Sequence, residues 1–215
     1  MSAESPWADE TRDILVASKA ILSDGHFVYI SGEHGSGWID KDVIFVDPRR
    51  VQRLTQLLAE VARRFDAEVL CGPATGGLIV AQWTAFALGI PAVFAEHDGP
   101  RSKSELRGRF ALHRNFDHLV AGRRVLVVDD VVNTGHSVRQ TVAAVRAAGG
   151  TVPGVAAIVH RGNVDAAGIG VEQYVYLLEH DIADWPAAEC PLCRQKVPVN
   201  TRYAHGQDFL DAQVG

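Results

Sequence analysis

The sequence predicts an α/β protein built on an open, doubly wound, mostly parallel sheet with a small N-terminal hood. Three observations carry that prediction. Val69-Leu70-Cys71, Val125-Leu126-Val127-Val128 and Val155-Ala156-Ala157-Ile158-Val159 are short apolar runs without polar alternation, so they read as strands buried on both faces. Between them lie stretches with apolar residues at helical spacing, closed by glycine. Strands that alternate with helices in this way place helices on both sides of a parallel sheet.

Taken in order, Ile14, Leu15, Ala17, Ser18, Ile21 and Leu22 follow helical spacing, and Asp24-Gly25 supplies a stop. Phe27-Val28-Tyr29-Ile30 and Trp38-Ile39 flank Ser31 to Gly37 and suit a hairpin-like excursion, the expected hood. Val51, Leu54, Leu57, Leu58, Val61, Ala62 and Phe65 mark an amphipathic helix. After the strand at Val69 comes the loop Gly72-Pro73-Ala74-Thr75-Gly76-Gly77 and a helix from Leu78 to Leu88, stopped by Gly89. Ala92-Val93-Phe94 continues the alternation. A polar stretch from Glu96 to Arg107 precedes the central strand at Val125, and a helix from Ser137 to Ala148 closes on Gly149-Gly150. No repeat or linker interrupts the chain, so residues 1–215 are expected to form one domain, with the hood contributed mainly by about 1–45.

Composition narrows the function. A net charge of −5, with no cluster of Lys and Arg, argues against a nucleic-acid partner. No apolar run reaches the ~18 residues of a membrane span, and the first residues are acidic and polar, so a cytoplasmic protein is expected. Three cysteines do not make a disulfide framework. Cys190 and Cys193 have the spacing of half a zinc ribbon, but the only other thiol is Cys71, and His205 lies twelve residues on. A tight turn is the expectation there, with a metal shared across a dimer as the alternative.

The strongest chemical signal is the segment from Asp129 to Ser137. Two carboxylates, Asp129 and Asp130, sit at the carboxyl end of a buried strand, where open α/β sheets bind ligands. Crowded, desolvated acids need a cation or hydrogen-bond donors, which a sugar diol, with or without Mg2+, supplies. Val131-Val132-Asn133-Thr134-Gly135-His136 then turns into a helix at Ser137, whose free N–H groups and positive end make a phosphate cradle. Thr134 and Ser137 add hydroxyls, and Gly135 permits a conformation or approach that a Cβ would hinder. Ser137 is also a common helix N-cap. Gly76 and Gly77, after Thr75, allow a second close approach of backbone to phosphate.

The segment resembles the signature of the phosphoribosyltransferases, which bind 5-phosphoribosyl-1-diphosphate (PRPP). Gly25-His26-Phe27 with Ser31-Gly32, Gly72 to Gly77, Phe94-Ala95-Glu96, Val159-His160-Arg161 and Cys190-Pro191-Leu192-Cys193 are similar, in order, to landmarks of the orotate branch. The resemblance covers most of the chain and implies the type I phosphoribosyltransferase fold. It implies transfer of the phosphoribosyl group to a planar base, most readily orotate, in pyrimidine nucleotide synthesis. Mg2+ is then carried by PRPP, with no metal held directly by the protein. Residues 96–108 become a lid shared between the subunits of a homodimer, bringing Arg101 or Lys103 to the departing diphosphate. His97 joins the PRPP contacts, and Ile30, Trp38, Asn133 and Arg161 lie toward the base.

Some positions depart from the family pattern. Ile30 stands where a Lys or Arg is usual, Asn133 where a Thr is usual, His97 where a Lys is usual and His160 where an Asp is usual. An isoleucine makes no charge-assisted bond to an anionic base. Another base, or a non-catalytic PRPP or nucleotide sensor, therefore stays open as an alternative. Of the other histidines, His26, His34, His113, His118, His180 and His205 are expected to be surface or structural, and Trp38 is as well suited to anchoring a core as to stacking on a base.

Overall fold

Six strands pair in one sheet: β1 (Val69–Pro73), β2 (Ala92–His97), β3 (Phe110–Ala111), β4 (Val125–Val132), β5 (Gly154–His160) and β6 (Gln173–Glu179), in the order β6-β5-β4-β1-β2-β3. All pairings are parallel except β2 with β3. The computed structural model describes residues 6–29, 31–99 and 109–214. Among them the backbone groups into two compact units, one of 1–12 with 45–180 and one of 13–44 with 181–215.

The first unit holds the sheet. Helix α1 (Pro48–Ala62) starts where Asp47 accepts the Arg49 N–H at 3.0 Å and Pro48 occupies the first turn, where its missing N–H costs nothing. Its apolar stripe buries Leu54 and Leu58 completely. Helix α2 (Gly76–Leu88) follows β1 and ends at Gly89, whose φ of 71° is the left-handed conformation that glycine adopts without strain. Helix α3 (His136–Ala147) follows β4. Val125, Leu126, Val127 and Val128 have no exposed surface, and every residue of β1 and β5 is buried, as the unbroken apolar runs require. Cys71 lies in this core, and burial pushes its thiol up to about 12, so it stays protonated and inert.

Two strands, the two-residue β3 and the seven-residue β6, lie beyond what the apolar runs announced. β6 reads Gln-Tyr-Val-Tyr-Leu-Leu-Glu and is an edge strand, half-exposed along its first half, so its pattern carries no continuous apolar signal.

The second unit corrects two expectations. The first helix covers Ala8–Ala17 rather than running to Leu22. Lys19, at φ 58°, turns the chain: its N–H donates to Val16 O at 2.9 Å and the Ala20 N–H to Leu15 O at 2.9 Å, a Schellman stop made with lysine in place of glycine. Ile21–Leu22 then forms a strand antiparallel to Trp38–Ile39. The hairpin around Ser31 is also shorter than expected, because Phe27–Val28 pairs with His34–Gly35. Gly35 is required there, since a Cβ would overlap the Tyr29 hydroxyl.

His34–Gly35 pairs on its other side with Asp184–Trp185, so the C-terminal segment is woven into the hood. Asn200 N–H donates to His26 O at 2.7 Å and His205 N–H to Val28 O at 2.9 Å, fixing the chain beyond Cys193 along the same strand. Cys190 ends a single 3-10 turn and opens a short helix, Pro191–Arg194.

Leu126→Ala should lower unfolding free energy by about 2 to 5 kcal/mol in urea titration, the cost of a cavity in a packed sheet; a loss below about 1 kcal/mol would contradict its burial between layers.

Candidate functional site

The strand order reverses between β1 and β4: from β1 the chain moves outward to β2 and β3, then returns to lay β4 on the other side. Such a reversal leaves a crevice outside the carboxyl ends of the two strands. β1 and β4 pair only over Val69–Cys71 with Val125–Val127. β4 runs five residues further, paired with β5 alone as far as Val132 opposite His160. Asp129 and Asp130 therefore lie within the strand, beyond the point where β1 leaves it.

Both acids are nearly buried, at 6% and 3% exposure. The Asp130 N–H donates to Asp129 Oδ1 at 2.9 Å, and the Val131 N–H donates to Asp130 Oδ1 at 2.6 Å. These bonds orient the carboxylates. Across the crevice stands the start of α2. A Cβ on Gly77 would come within 2.5 Å of Pro73 Cδ and 2.8 Å of Asp129 Oδ1. Glycine at 77 is therefore a packing requirement that brings the two βα turns together, and the same turn contains a cis peptide between Ala74 and Thr75.

Thr75 precedes α2 and Gly135 precedes α3, and neither of these residues caps its helix with a side chain, while the His136 N–H donates to Thr134 Oγ1 at 3.4 Å. Gly135 has φ 72°, so it makes the turn that a β-carbon would strain, while a Cβ there would also meet Val164 and Arg139. Ser137 lies inside α3, one residue past its start, which sets aside the N-cap reading of that residue. Asp129, Val131, Val132, Asn133, Thr134, Gly135, His136 and Ser137 line one cavity of about 120 Å3 with Val138. That is room for about four waters, or one phosphate group. The first N–H groups of α3 and the positive end of its dipole belong to this cavity, which favours an anion.

Arg139 was not singled out by its sequence. Its Nη1 donates to Thr134 O at 2.9 Å and to Gly168 O at 3.2 Å, bracing the cradle from behind. No motif points to it, because its role depends on the residue 168 turn folding back.

The base-side candidates divide. Arg161 is buried at the end of β5, where its N–H donates to Val132 O at 2.8 Å. Gly162, at φ 93°, has Asn133 Oδ1 so close that a Cβ would lie 2.9 Å from it. Asn133 and Arg161 are thus brought to the same end of neighbouring strands. His160 points elsewhere: it stacks on Tyr176 with ring centroids 4.8 Å apart, and its Nδ1 lies 3.0 Å from the Tyr174 hydroxyl. Burial, the neighbouring Tyr176 and then Asp129 hold that hydroxyl far above the ordinary tyrosine range, so Tyr174 stays neutral near the acids.

His97 ends β2, with its ring edge-on to Phe110 at 4.4 Å. Beside it, Arg114 pairs with Glu96 at 2.8 Å and covers Phe94, which fixes the root of the proposed lid. Arg101 and Lys103, with most of the lid, and Ile30 lie outside the described residues. Trp38 belongs to the second unit, half-buried and stacked on Tyr29 at 6.2 Å, a hood anchor.

Comparison with known proteins agrees with this geometry. A family model described as phosphoribosyl transferase domain matches residues 42–188. The orotate phosphoribosyltransferase of Pelotomaculum thermopropionicum is 37% identical over 195 residues, covering 87% of this chain and 95% of its own. That of Heliobacterium modesticaldum is 36% identical over 192 residues, covering 88% and 94%. The solved structure of Mycobacterium tuberculosis orotate phosphoribosyltransferase in complex with PRPP superposes with a TM-score of 0.58 at 25% identity, covering 81% of this chain and 96% of that one.

Gly77→Ala should leave the protein folded and weaken PRPP binding at least tenfold in calorimetric titration, because the added methyl separates the α2 turn from Asp129; unchanged affinity would show that the close approach is packing alone. Arg139→Ala should raise the KM for PRPP severalfold with a smaller effect on kcat, since it removes the brace of the cradle and no group that meets reacting atoms.

Proposed function

Since this chain belongs to the orotate phosphoribosyltransferase family, we propose that it transfers the phosphoribosyl group of PRPP to orotate, releasing diphosphate and giving the nucleoside 5′-monophosphate of pyrimidine synthesis. The observation that carries the reading is the buried Asp129 carboxylate, with Asp130 next to it in β4, set in one cavity with the phosphate cradle after β4 and against the glycine turn after β1. One molecule, PRPP, has a diol between a phosphate and a diphosphate, and this arrangement matches it in order.

In this assignment the 135–138 turn takes the 5-phosphate through backbone N–H groups, with the Thr134 and Ser137 hydroxyls beside them. Asp129 and Asp130 accept hydrogen bonds from the ribose hydroxyls. As the bond from C1 to the diphosphate oxygen breaks, positive charge grows on the ring, and two fixed carboxylates below it are already oriented to stabilise that charge. The Thr75-Gly76-Gly77 turn receives the diphosphate at the start of α2. A nitrogen of the base forms the new bond to C1 and its proton leaves to solvent. Arg161 and Asn133 would orient the base, Arg161 by pairing with a carboxylate. Positioning and charge stabilisation then account for most of the rate.

Mg2+ would be carried by PRPP and not held directly by the protein, with Asp129 and Asp130 engaged by the ribose hydroxyls. Bound in that way it would neutralise charge on the leaving diphosphate. Lys103, Arg101 and His97 are assigned to the same anion from the lid. A homodimer sharing residues 96–108 is part of the reading; Phe86 and Val46, at 76% and 81% exposure, are the most exposed of the large apolar side chains among the described residues and the ones a subunit contact would cover. Three cysteines without a disulfide suit a cytoplasmic enzyme, and no helix among the described residues is long and apolar enough to cross a membrane.

The test is diphosphate release with Mg2+ and PRPP against a panel of bases. Release with orotate is the expected result; release only with another base, or PRPP binding without turnover, would overturn the orotate assignment. Asp129→Asn combined with Asp130→Asn should cut kcat/KM by at least ~100-fold, the scale of removing preorganised charge from a transition state, with the unfolding midpoint retained. Activity within a fewfold of wild type would remove the acids from the mechanism.

A further inference from the structure

His26, His34, Cys190 and Cys193 meet inside the second unit, far from one another in sequence, with one ligand atom from each lying within 4.8 Å of all the others. We propose that they form a structural zinc site of two imidazoles and two thiolates, which locks the C-terminal segment onto the hood. The sequence showed only the Cys190/Cys193 half, with no second half at ribbon spacing. The fold supplies His26 and His34 instead.

The geometry is that of a four-coordinate site before its ion. Cys193 Sγ is 3.3 Å from His34 Nδ1 and 3.7 Å from His26 Nε2, and Cys190 Sγ is 3.7 Å from His26 Nε2. A tetrahedral zinc with bonds of ~2.0–2.1 Å to nitrogen and ~2.3 Å to sulfur separates its ligand atoms by roughly 3.3 to 3.8 Å. The two ring nitrogens, 2.8 Å apart, need to open by about half an ångström to reach that spacing.

Proton bookkeeping points the same way. His26 Nδ1 lies 2.8 Å from Val197 O, which only accepts, so Nδ1 carries the ring proton and Nε2 turns a lone pair into the cluster. Such a backbone carbonyl behind a ligating histidine is the usual way its tautomer is fixed. His34 is fully buried, and its Nε2 has no hydrogen-bond partner among the described residues. If His34 Nδ1–H donated to His26, that Nε2 would keep a buried lone pair with nothing to accept from. Were both its nitrogens protonated, a charge would be buried beside a second imidazole. With a cation in the cluster, Nδ1 ligates and Nε2 carries the ring proton, in a ring that stands perpendicular to Phe209 with 4.8 Å between centroids.

Two neutral imidazoles and two thiolates around Zn2+ sum to zero charge, which suits a site with His26, His34 and Cys190 buried and Cys193 at the surface; the two thiol protons go to solvent on binding. Mixed nitrogen and sulfur ligands in a closed set of four favour zinc over harder cations, and a full set leaves no position for substrate. The site is therefore structural. His34 stands in the central strand of the small sheet, between Phe27–Val28 and Asp184–Trp185, so the ion would join that sheet to the Pro191–Arg194 turn.

The test uses the full chain. Purified protein, dialysed against metal-free buffer, should retain roughly one zinc by elemental analysis. After chelation and addition of Co2+, it should show thiolate-to-cobalt charge transfer and tetrahedral visible bands. Cys193→Ser should lose the charge-transfer intensity contributed by that sulfur and bind zinc at least tenfold more weakly, while His205→Ala keeps full zinc content. Cys71 cannot supply the signal, since it is buried in the other unit. Absence of zinc together with an octahedral or absent cobalt spectrum in the wild-type chain would overturn the proposal. So would a Cys190–Cys193 disulfide in protein purified under reducing conditions, or zinc content unchanged in Cys193→Ser.

Discussion

The close approach of the α2 turn to Asp129 is the constraint on which the site depends. β1 and β4 pair for only three residues each before diverging, and β4 then continues with Asp129 lining the gap and Asp130 next to it in the strand. A glycine at 77 lets the first turn of α2 come against Pro73 and Asp129. Without that contact the two helix starts would be separate anion sites. With it, they flank one pair of carboxylates at the distance set by adjacent parallel strands, about 4.8 Å apart. The rest of the sheet serves to hold this gap: fully buried valines and leucines on β1, β4 and β5 leave the strand ends little freedom to move.

The chemistry follows from that arrangement. Helix N-termini attract phosphate whatever else it carries, and buried carboxylates are unfavourable until a donor or a cation reaches them. A ligand with phosphate at both ends and hydroxyls between relieves both demands together. The cost of crowding Asp129 and Asp130 is offset partly by backbone N–H donors before any ligand arrives. It is in this sense that the site is built ahead of its substrate.

Much of the sheet, and the gathering of the Asp129 to Ser137 segment around one cavity, could be read from the residues, because uniform apolar runs and that segment are local signals. β6 could not, since an edge strand lacks the continuous apolar pattern. The first helix ended early because Lys19 adopts a left-handed conformation usually left to glycine, which sequence pattern does not mark. Arg139 and the meeting of His26 and His34 with the Cys190/Cys193 pair were illegible for another reason. Their roles exist only after distant segments meet, and Cys190 lies 164 residues from His26. Asn133 and Arg161 lie at the same end of neighbouring strands, while His160 is taken up by Tyr174 and Tyr176.

A crystal structure of the protein with PRPP bound would test the central claim most directly. The account predicts the 5-phosphate in the 134–138 cradle, the ribose hydroxyls on Asp129 and Asp130, and the diphosphate against Thr75, Gly76 and Gly77. A PRPP molecule whose ribose lies away from both acids, or whose phosphates leave the starts of α2 and α3 empty, would contradict it.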